Sequence, residues 1–120
     1  RRGGKCFATC GLATLRHAGV DPAVALDVIN TSSGRSNASM NLFPERVLTR
    51  AFPRTFRLAL LDKDVGIAAQ VAREQGVPAP TLQLTADLFR AAHIALGEEA
   101  DHVEVVKWVE QLTGVTIEKN

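Results

Sequence analysis

The sequence predicts an all-α domain of about six helices. Apolar residues recur at three- and four-residue spacing along most of the 120 residues, which is the pattern of amphipathic helices. Glycine and proline interrupt that pattern where helices are expected to end and begin. Hydrophobic residues make up 46% and charged residues 22% of the chain, values typical of a soluble globular domain. The length suits one such domain.

The first two helices have clear boundary signals. The first is predicted over about Cys6–Ala18 and is followed by Gly19, a residue type common just after a helix C-terminus. Asp21 is the expected N-cap of the second helix, and Pro22 occupies its first position, where the missing N–H costs nothing. This helix is expected to end near Asn30. The predicted apolar positions of the two helices are Phe7, Cys10, Leu12, Leu15, Val24, Leu26, Val28 and Ile29.

Three further helices follow a small polar loop at Thr31–Asn37. The third helix is predicted over about Ala38–Thr49, with Pro44 as a kink or break. The fourth covers about Arg57–Gln75 and the fifth about Thr81–Leu96. Their predicted buried positions are Leu58, Leu61, Val65, Ala68, Ala72, Leu84, Leu88, Ala91, Ala92 and Ala95.

The last helix is predicted to begin at Asp101, as its N-cap, and to end at Gly114. The residues expected to form its apolar face are Val103, Val106, Val109 and Leu112. Trp108 and the five phenylalanines are expected to fill the core and interfaces, because large aromatic side chains bury about 150–250 Å² each.

Composition excludes several classes of function. Fourteen Lys and Arg residues against thirteen Asp and Glu residues give a net charge of +1, which predicts neither a nucleic acid nor an anionic membrane as partner. No apolar run approaches the roughly 18 residues of a membrane span, and no secretory signal is recognised. Cys6 and Cys10 are expected to be free thiols in a cytoplasmic protein, since no further cysteines complete a zinc site.

Few residues point to chemistry on their own. The three histidines, His17, His93 and His102, lack metal-ligand spacing and are expected at the surface or at helix ends. The Ser32–Asn37 cluster either binds an anion or simply caps the third helix. Lys63 lies off the apolar stripe of the fourth helix and is expected to be solvated.

A local excess of positive charge lies in the same part of the chain. Five arginines, at positions 35, 46, 50, 54 and 57, face a single acid, Glu45, between residues 35 and 57. Such a segment either attracts a polyanionic ligand or forms a solvated basic face.

Four segments in order resemble the β-hydroxyacid dehydrogenases, the group that contains the 3-hydroxyisobutyrate, tartronate-semialdehyde and L-threonate dehydrogenases. They are LDVINTSSGRS at Leu26–Ser36, FPRTF with the following LALLDKD at Phe52–Asp64, GVPAP at Gly76–Pro80, and DHVEVVK at Asp101–Lys107. The resemblance covers roughly residues 15–115. The first two segments are most similar to the L-threonate dehydrogenase branch.

The resemblance implies the helical C-terminal domain of a 6-phosphogluconate dehydrogenase-like fold, here without its Rossmann domain. Such a domain supplies part of the substrate pocket, closes over the nicotinamide of NAD or NADP, and forms subunit contacts, so a homodimer is expected. Lys63 carries over as the lysine that reaches the cofactor, with Asp64 beside it. The loop residues Ser33, Gly34 and Ser36 would line the cleft.

The chain also departs from the family pattern. No Gly-rich dinucleotide turn is present, and the family's Lys-x-x-Asn-Asn motif is missing, because Ala8 and Thr9 stand where asparagines would follow Lys5. Lys5 also lies too close to Gly19, so it is interpreted as not catalytic and no catalytic residue is assigned. Residues 1–14 are interpreted as a divergent or non-native segment and residues 15–120 as the helical domain.

Two functions from different classes follow. The first is the substrate-closing and dimerisation domain of an NAD(P)-dependent dehydrogenase that oxidises the hydroxyl β to a carboxylate, with a sugar acid such as L-threonate as substrate, the chain being inactive alone. The second is a stand-alone helical oligomerisation or binding module without catalysis. A nucleic-acid binder is disfavoured by the neutral charge and by the lack of a recognised binding motif.

Overall fold

The computed structural model describes residues 3–120, without the side chains of residues 3, 4, 6 and 7. Within this range the predicted all-α fold is confirmed. Its helices are α1 Gly3–His17, α2 Pro22–Thr31, α3 Ala38–Val47, α4 Leu58–Glu74, α5 Pro80–Leu96 and α6 Val105–Thr113, with one 3-10 turn at His102–Glu104 before α6. The predictions for the Cys6 and Phe7 side chains lie outside the described residues.

The predicted boundary after residue 14 falls inside α1, which continues to His17. Ala8, Leu12 and Ala13, which lie on both sides of the middle of this helix, are buried in the core. The interpretation of residues 1–14 as divergent or non-native stays a prediction, and Arg1 and Arg2 lie outside the described residues.

Two predicted helix signals have the expected geometry. Asp21 is the N-cap of α2, and its Oδ1 accepts the Ala23 N–H at 3.1 Å. Gly114 ends α6 with φ +72°, a left-handed conformation that costs glycine little because it has no Cβ. These local signals therefore set the lengths of the helices that carry them.

Helix α3 is wound more widely than an α-helix. Pro44 lies inside it, where its ring nitrogen cannot donate a hydrogen bond. Of the kink or break predicted at Pro44, the break is wrong, because the chain continues through Pro44 as a π-helix. The bond from the Leu48 N–H to the Phe43 carbonyl, 2.9 Å long, marks the end of this helix. Such windings often occur at functional sites.

The core has two clusters. One joins α1, α2, α3, α6 and the C-terminal tail around residues that include Leu12, Phe43 and Ile117. The other joins α4, α5 and α6 around Leu58 and Phe89. The half-buried Trp108 packs against both clusters, so α6 connects the two halves of the domain.

Several helices bury a different face from the predicted one. In α5 the buried residues are Thr85, Phe89 and Ala92, whereas Leu84 is 59% exposed. The sequence pattern of α5 is compatible with two neighbouring apolar faces. The face that packs against α4 is the one that contains Phe89, which has the larger side chain. The other predicted core residues that prove exposed are Cys10, Leu15, Val24, Val28, Ala68, Ala91, Ala95 and Leu112.

The segment after α3 is held against α6 by charge. Arg50 and Phe52 have positive φ values of 59° and 39°, which is strained for residues with a Cβ. Both Nη atoms of Arg50 donate to the Glu110 carboxylate, at 2.6 and 2.9 Å, and Lys107 lies 4.4 Å above the Phe52 ring. These contacts offset the strain and fix the start of the connector to α4.

A buried carboxylate joins α4 to α5. Asp62 lies 2.7 Å from His93 Nδ1 and 3.0 Å from Arg90 Nε, and Glu98 lies 2.8 Å from His93 Nε2. The hydrogen bonds to Asp62 and Glu98 raise the pKa of His93 above its ordinary value, although burial opposes them. His93 lies in the last turn of α5, as the helix-end alternative predicted. Its side chain is only 18% exposed, and its contact with the buried Asp62 was not predicted.

We expect His93 to stabilise the fold in a pH-dependent way. Because its pKa is raised on folding, its contribution is fully present below the ordinary value of 6.5 and is lost as the pH rises through the folded-state pKa. His93→Gln should therefore cost about 1–2 kcal/mol at pH 6, the scale of a hydrogen bond to a charged group, and less at pH 8.5. Urea unfolding at both pH values measures this. His17→Gln corrects for the loss of one imidazole, and a pH-independent cost for His93→Gln would contradict the prediction.

Candidate functional site

Asp101 organises the start of the last helix and the connector before α4. Its carboxylate, in a residue that is 2% exposed, accepts the backbone N–H groups of Thr55, Phe56 and Val103 at 2.7, 2.9 and 3.1 Å. Glu104 completes a capping box by accepting the Asp101 N–H at 3.0 Å. The predicted N-cap is confirmed, and its role extends to a segment more than 40 residues away.

The same carboxylate is kept ionised by these donors. Burial acts to raise the pKa of Asp101, but the backbone hydrogen bonds from Phe56, Thr55 and Val103 outweigh it and hold the pKa below its ordinary value. The Asp101 side chain is therefore negatively charged at neutral pH, at the point where the connector before α4 meets the 3-10 turn.

His102 lies directly after this carboxylate and contacts α1. Lys5 Nζ is 2.5 Å from His102 Nδ1, and Thr55 Oγ1 is 3.4 Å from His102 Nε2. Burial, together with the positive charges of Lys5 and Arg46, lowers the pKa of His102 to about 4, against the opposing effect of Asp101. The ring is therefore neutral at pH 7, which makes Nδ1 the acceptor from the Lys5 ammonium and Nε2–H the donor towards Thr55.

These side chains line one wall of an open groove of about 1070 Å³. Its lining residues come from α1, from the loop before α3, from α3 itself, from the connector before α4 and from the 3-10 turn. Its described lining residues are Lys5, Arg35, Ser36, Asn37, Ala38, Leu42, Arg46, Thr55 and His102. Three of these are cationic and none is acidic, so the lining is suited to an anionic group.

The structure brings only one predicted site residue into this groove. Ser36 lines it, and its Oγ accepts the Ser39 N–H at 3.1 Å, so this serine also caps α3. Ser33 and Gly34 lie on the exposed turn before it. Lys63 and Asp64 lie exposed on α4, outside the groove lining.

The five clustered arginines separate in the fold. Arg35 and Arg46 line the groove. Arg50 is bound to α6, and Arg54 and Arg57 line a second, shallow pocket. The local charge excess is therefore divided between several surfaces.

The sequence did not predict that Lys5, Thr55 and His102 lie next to one another. Lys5 is 7% exposed, and the His102 side chain is 14% exposed. Of the two alternatives predicted for His102, the helix end is therefore correct, because the residue begins the 3-10 turn, and the surface is not. Lys5 and His102 are 97 residues apart, and no periodicity in the sequence connects positions at that distance. The one local signal was the N-cap at Asp101, which fixes the position of the next residue.

Comparison with known proteins decides the family. A family model described as "NAD-binding of NADP-dependent 3-hydroxyisobutyrate dehydrogenase" matches residues 4–109. The chain belongs to this family.

Two relatives have similar coverage. The chain is 31% identical over 116 residues to 2-(hydroxymethyl)glutarate dehydrogenase of Eubacterium barkeri, which is 90% of this chain and 38% of that protein. The crystal structure of 3-hydroxyisobutyrate dehydrogenase from Salmonella typhimurium matches with a TM-score of 0.77 at 22% identity, covering 89% of this chain and 38% of that one. The second likeness shows a shared fold. The chain therefore spans less than two fifths of the length of each of these two proteins.

Other kinds of site find no support in the described residues. Among residues 3–120, apart from the side chains left undescribed, no three His, Cys, Asp or Glu residues are grouped to hold a metal ion. None of the helices in this part of the chain has the length and apolar character to cross a membrane.

We expect Asp101→Asn to destabilise the fold by about 2 kcal/mol at pH 7, because the new amide places a donor against one of the N–H groups that the carboxylate accepts. Since the pKa of Asp101 is lowered on folding, the stabilisation is present above the ordinary carboxyl pKa and is lost as the pH falls through the folded-state pKa. Denaturant unfolding at pH 7 and pH 3 measures both effects. Asp87→Asn, on the exposed face of α5, is the matched control, and equal stability of the two variants would overturn the prediction.

We also expect His102 to titrate near pH 4. Lys5→Met removes the ammonium next to Nδ1 while preserving an apolar stem, so it should raise the pKa of His102 towards 6.5. Imidazole chemical shifts in an NMR titration report this directly. Lys63→Met removes an exposed lysine on α4 and should leave the His102 titration where it is. A wild-type midpoint near 6.5 would contradict the neutral-imidazole assignment.

Proposed function

We propose that this chain is the C-terminal helical domain of an NAD(P)-dependent 3-hydroxyacid dehydrogenase. The family match over residues 4–109 carries the proposal. The cofactor supplies a hydride acceptor when bound, and the complete enzyme would oxidise a hydroxyl β to a carboxylate. The domain would close over the nicotinamide and supply part of the substrate pocket, with no catalytic group of its own assigned.

Lys63 is proposed as the residue that holds the cofactor. It lies near the N-terminal end of α4, exposed, beside Asp64 and two residues after the buried Leu61. An ammonium at that position is accessible to a docked nucleotide-binding domain and pairs with cofactor oxygens as a charge-assisted donor. An exposed cation at this position can therefore pair with an anionic cofactor. The sequence itself contains no Gly-rich turn of the kind that binds a pyrophosphate.

The substrate is proposed to be a small hydroxyacid bound against the α2–α3 loop. Ser33, Gly34 and Ser36 would line the pocket, with Asp64 at its border. Ser36 is the member of this set that lies in the cationic groove, which supports a carboxylate as the group bound there. Similarity to the L-threonate branch favours L-threonate, and the Eubacterium relative is named for 2-(hydroxymethyl)glutarate, so both acids are assay substrates.

We propose further that the domain forms a homodimer in the cytoplasm, with neither nucleic acid nor membrane as partner. Leu84 and Ile94 on α5 are 59% and 75% exposed, and apolar surface of this kind is commonly covered by a second subunit. Cys10 is a free thiol, as is usual for cytoplasmic proteins.

Lys63→Ala tests the proposed role in a complete enzyme. The assay protein is a complete homologue that has the Leu61–Asp64 sequence of this chain at the corresponding positions, because this chain lacks the family's Lys-x-x-Asn-Asn motif. The substitution should raise the cofactor KM or lower turnover about ten-fold, the effect of one lost charge-assisted contact, while the melting temperature of the chain stays unchanged.

Three comparisons complete this experiment. Lys63→Arg should recover most of the lost cofactor affinity because it keeps the charge. The isolated 120-residue chain should produce no NADH or NADPH with either acid. An unchanged cofactor KM and an unchanged turnover in Lys63→Ala would remove Lys63 from the cofactor site, and production of NADH or NADPH by the isolated chain would contradict the proposal that it has no catalytic group of its own.

A further inference from the structure

Helix α5 has a second, largely apolar face, on the side away from its buried Phe89. Leu84, Asp87, Ala91 and Ile94 lie along this outer face, and all four are exposed. Ile94 is 75% exposed, the highest fraction among the large apolar side chains that the structure describes. The described part of the chain therefore leaves this outer face of α5 uncovered, and exposed apolar surface of this kind is typical of an interaction site.

The spacing of these four residues is that of a seam between two helices. They follow one another at intervals of three, four and three residues, the a/d repeat by which two helices pack side by side. With a rise of about 1.5 Å per residue, the seam from Leu84 to Ile94 is roughly 15 Å long. The α5 helix of a second copy has the same repeat, so it can cover the outer face by a self-complementary contact.

The charge on Asp87 determines the direction in which two such helices pack. In a parallel pair, equivalent residues face each other, so the two Asp87 carboxylates would meet in the apolar seam and repel. In an antiparallel pair related by a twofold axis, position 84 faces 94 and position 87 faces 91, because both pairs are centred at residue 89. Leu84 then meets Ile94 of the partner subunit, and Asp87 meets the small Ala91 of the partner subunit.

The charges beside the seam are complementary in this antiparallel register. Arg90 precedes Ala91, so it lies beside Asp87 of the partner subunit. Asp87 forms no hydrogen bond or ion pair with any described residue. The Arg90 side chain is 64% exposed, and its Nε lies 3.0 Å from Asp62, while its Nη groups donate to no described residue. Exposed ion pairs add little affinity, so the two Asp87–Arg90 contacts fix the direction of the helices, whereas the apolar contacts hold them together.

We propose that two copies of this chain associate through antiparallel α5 helices, with Leu84 of each copy against Ile94 of the partner subunit. Asp87 of each copy lies beside Arg90 of the partner subunit. The inference rests on the homodimer of the proposed function and deepens it, because it assigns the surface and the orientation of the two copies. The interface also reaches α4, since the same guanidinium of Arg90 bonds to the buried Asp62.

A pair of oppositely charged variants tests both the surface and the direction. Leu84→Lys and Ile94→Glu each place a charge in the seam, so each alone should dissociate about 100-fold more readily than the wild-type chain, ten-fold for each of its two altered contacts. An equal mixture of the two should restore dimers. In the mixed antiparallel pair one contact joins the two opposite charges, and the other is still Leu84 against Ile94. Sedimentation velocity of the 120-residue chain measures the dimer dissociation constant.

A second mixture gives the reciprocal result. Leu84→Lys mixed with Leu84→Glu should stay monomeric, because in an antiparallel pair the two introduced charges lie at opposite ends of the seam. A parallel pair would behave in the opposite way and associate only in this mixture. Leu112→Lys, which alters an exposed leucine of α6, is the matched control and should keep the wild-type dissociation constant. All the substituted side chains are exposed, so circular dichroism should show unchanged helix content in every variant.

Failure of this inference is distinct from failure of the proposed function. A wild-type chain that stays monomeric, or association only in the mixture of the two Leu84 variants, would overturn the antiparallel α5 pair and leave the role of Lys63 untouched. A dimer that survives both Leu84→Lys and Ile94→Glu would keep the homodimer and reject α5 as its surface. Dimers restored in the first mixture, combined with a Lys63→Ala homologue of unchanged cofactor KM and turnover, would keep the α5 pair and reject the cofactor role.

Discussion

One buried carboxylate determines how the connector before α4 meets the start of α6. Asp101 caps the 3-10 turn and at the same time accepts the N–H groups of Thr55 and Phe56. Two backbone hydrogen bonds reinforce this junction, from the Leu58 N–H to the Ala100 carbonyl and from the His102 N–H to the Phe56 carbonyl. Without the carboxylate, the backbone N–H groups of Thr55, Phe56 and Val103 would lose the acceptor that joins the two segments, and an unpaired backbone donor costs about as much as a lost hydrogen bond.

The groove inherits its geometry from that junction. Thr55 is hydrogen-bonded to Asp101, and His102 follows Asp101 in the sequence. Each of the two connects to a cation from another element, Arg46 and Lys5 respectively. Arg46 and Lys5 are thereby positioned by contacts with two residues that adjoin the buried Asp101. This arrangement reduces the reorganisation that an incoming anion would require.

The helices and their ends could be predicted from local sequence, and much of the packing could not. Asp21, Asp101 and Gly114 act within a few residues, so their types alone determine what they do. The exposure of Leu84 depends on which face of α5 meets α4, and the pairing of Lys5 with His102 depends on the path of the chain between two residues that are 97 positions apart. Family resemblance indicated Ser36 and Lys63 as site residues, and it led to the interpretation of Lys5 as not catalytic, because Ala8 and Thr9 stand at the asparagine positions of the family motif. It did not predict that Lys5 contacts His102.

The single tryptophan of the chain lies where the two core clusters meet. Its indole packs against residues of both, so its emission is sensitive to the environment on either side. Loss of contact between the halves would change the fluorescence even if every helix stayed intact, whereas circular dichroism would register only the helices. Trp108 is thus an intrinsic optical probe of unfolding cooperativity. Coincident transitions by fluorescence and circular dichroism mean that the two halves unfold as one unit, whereas an earlier fluorescence transition means that the halves separate before the helices unfold.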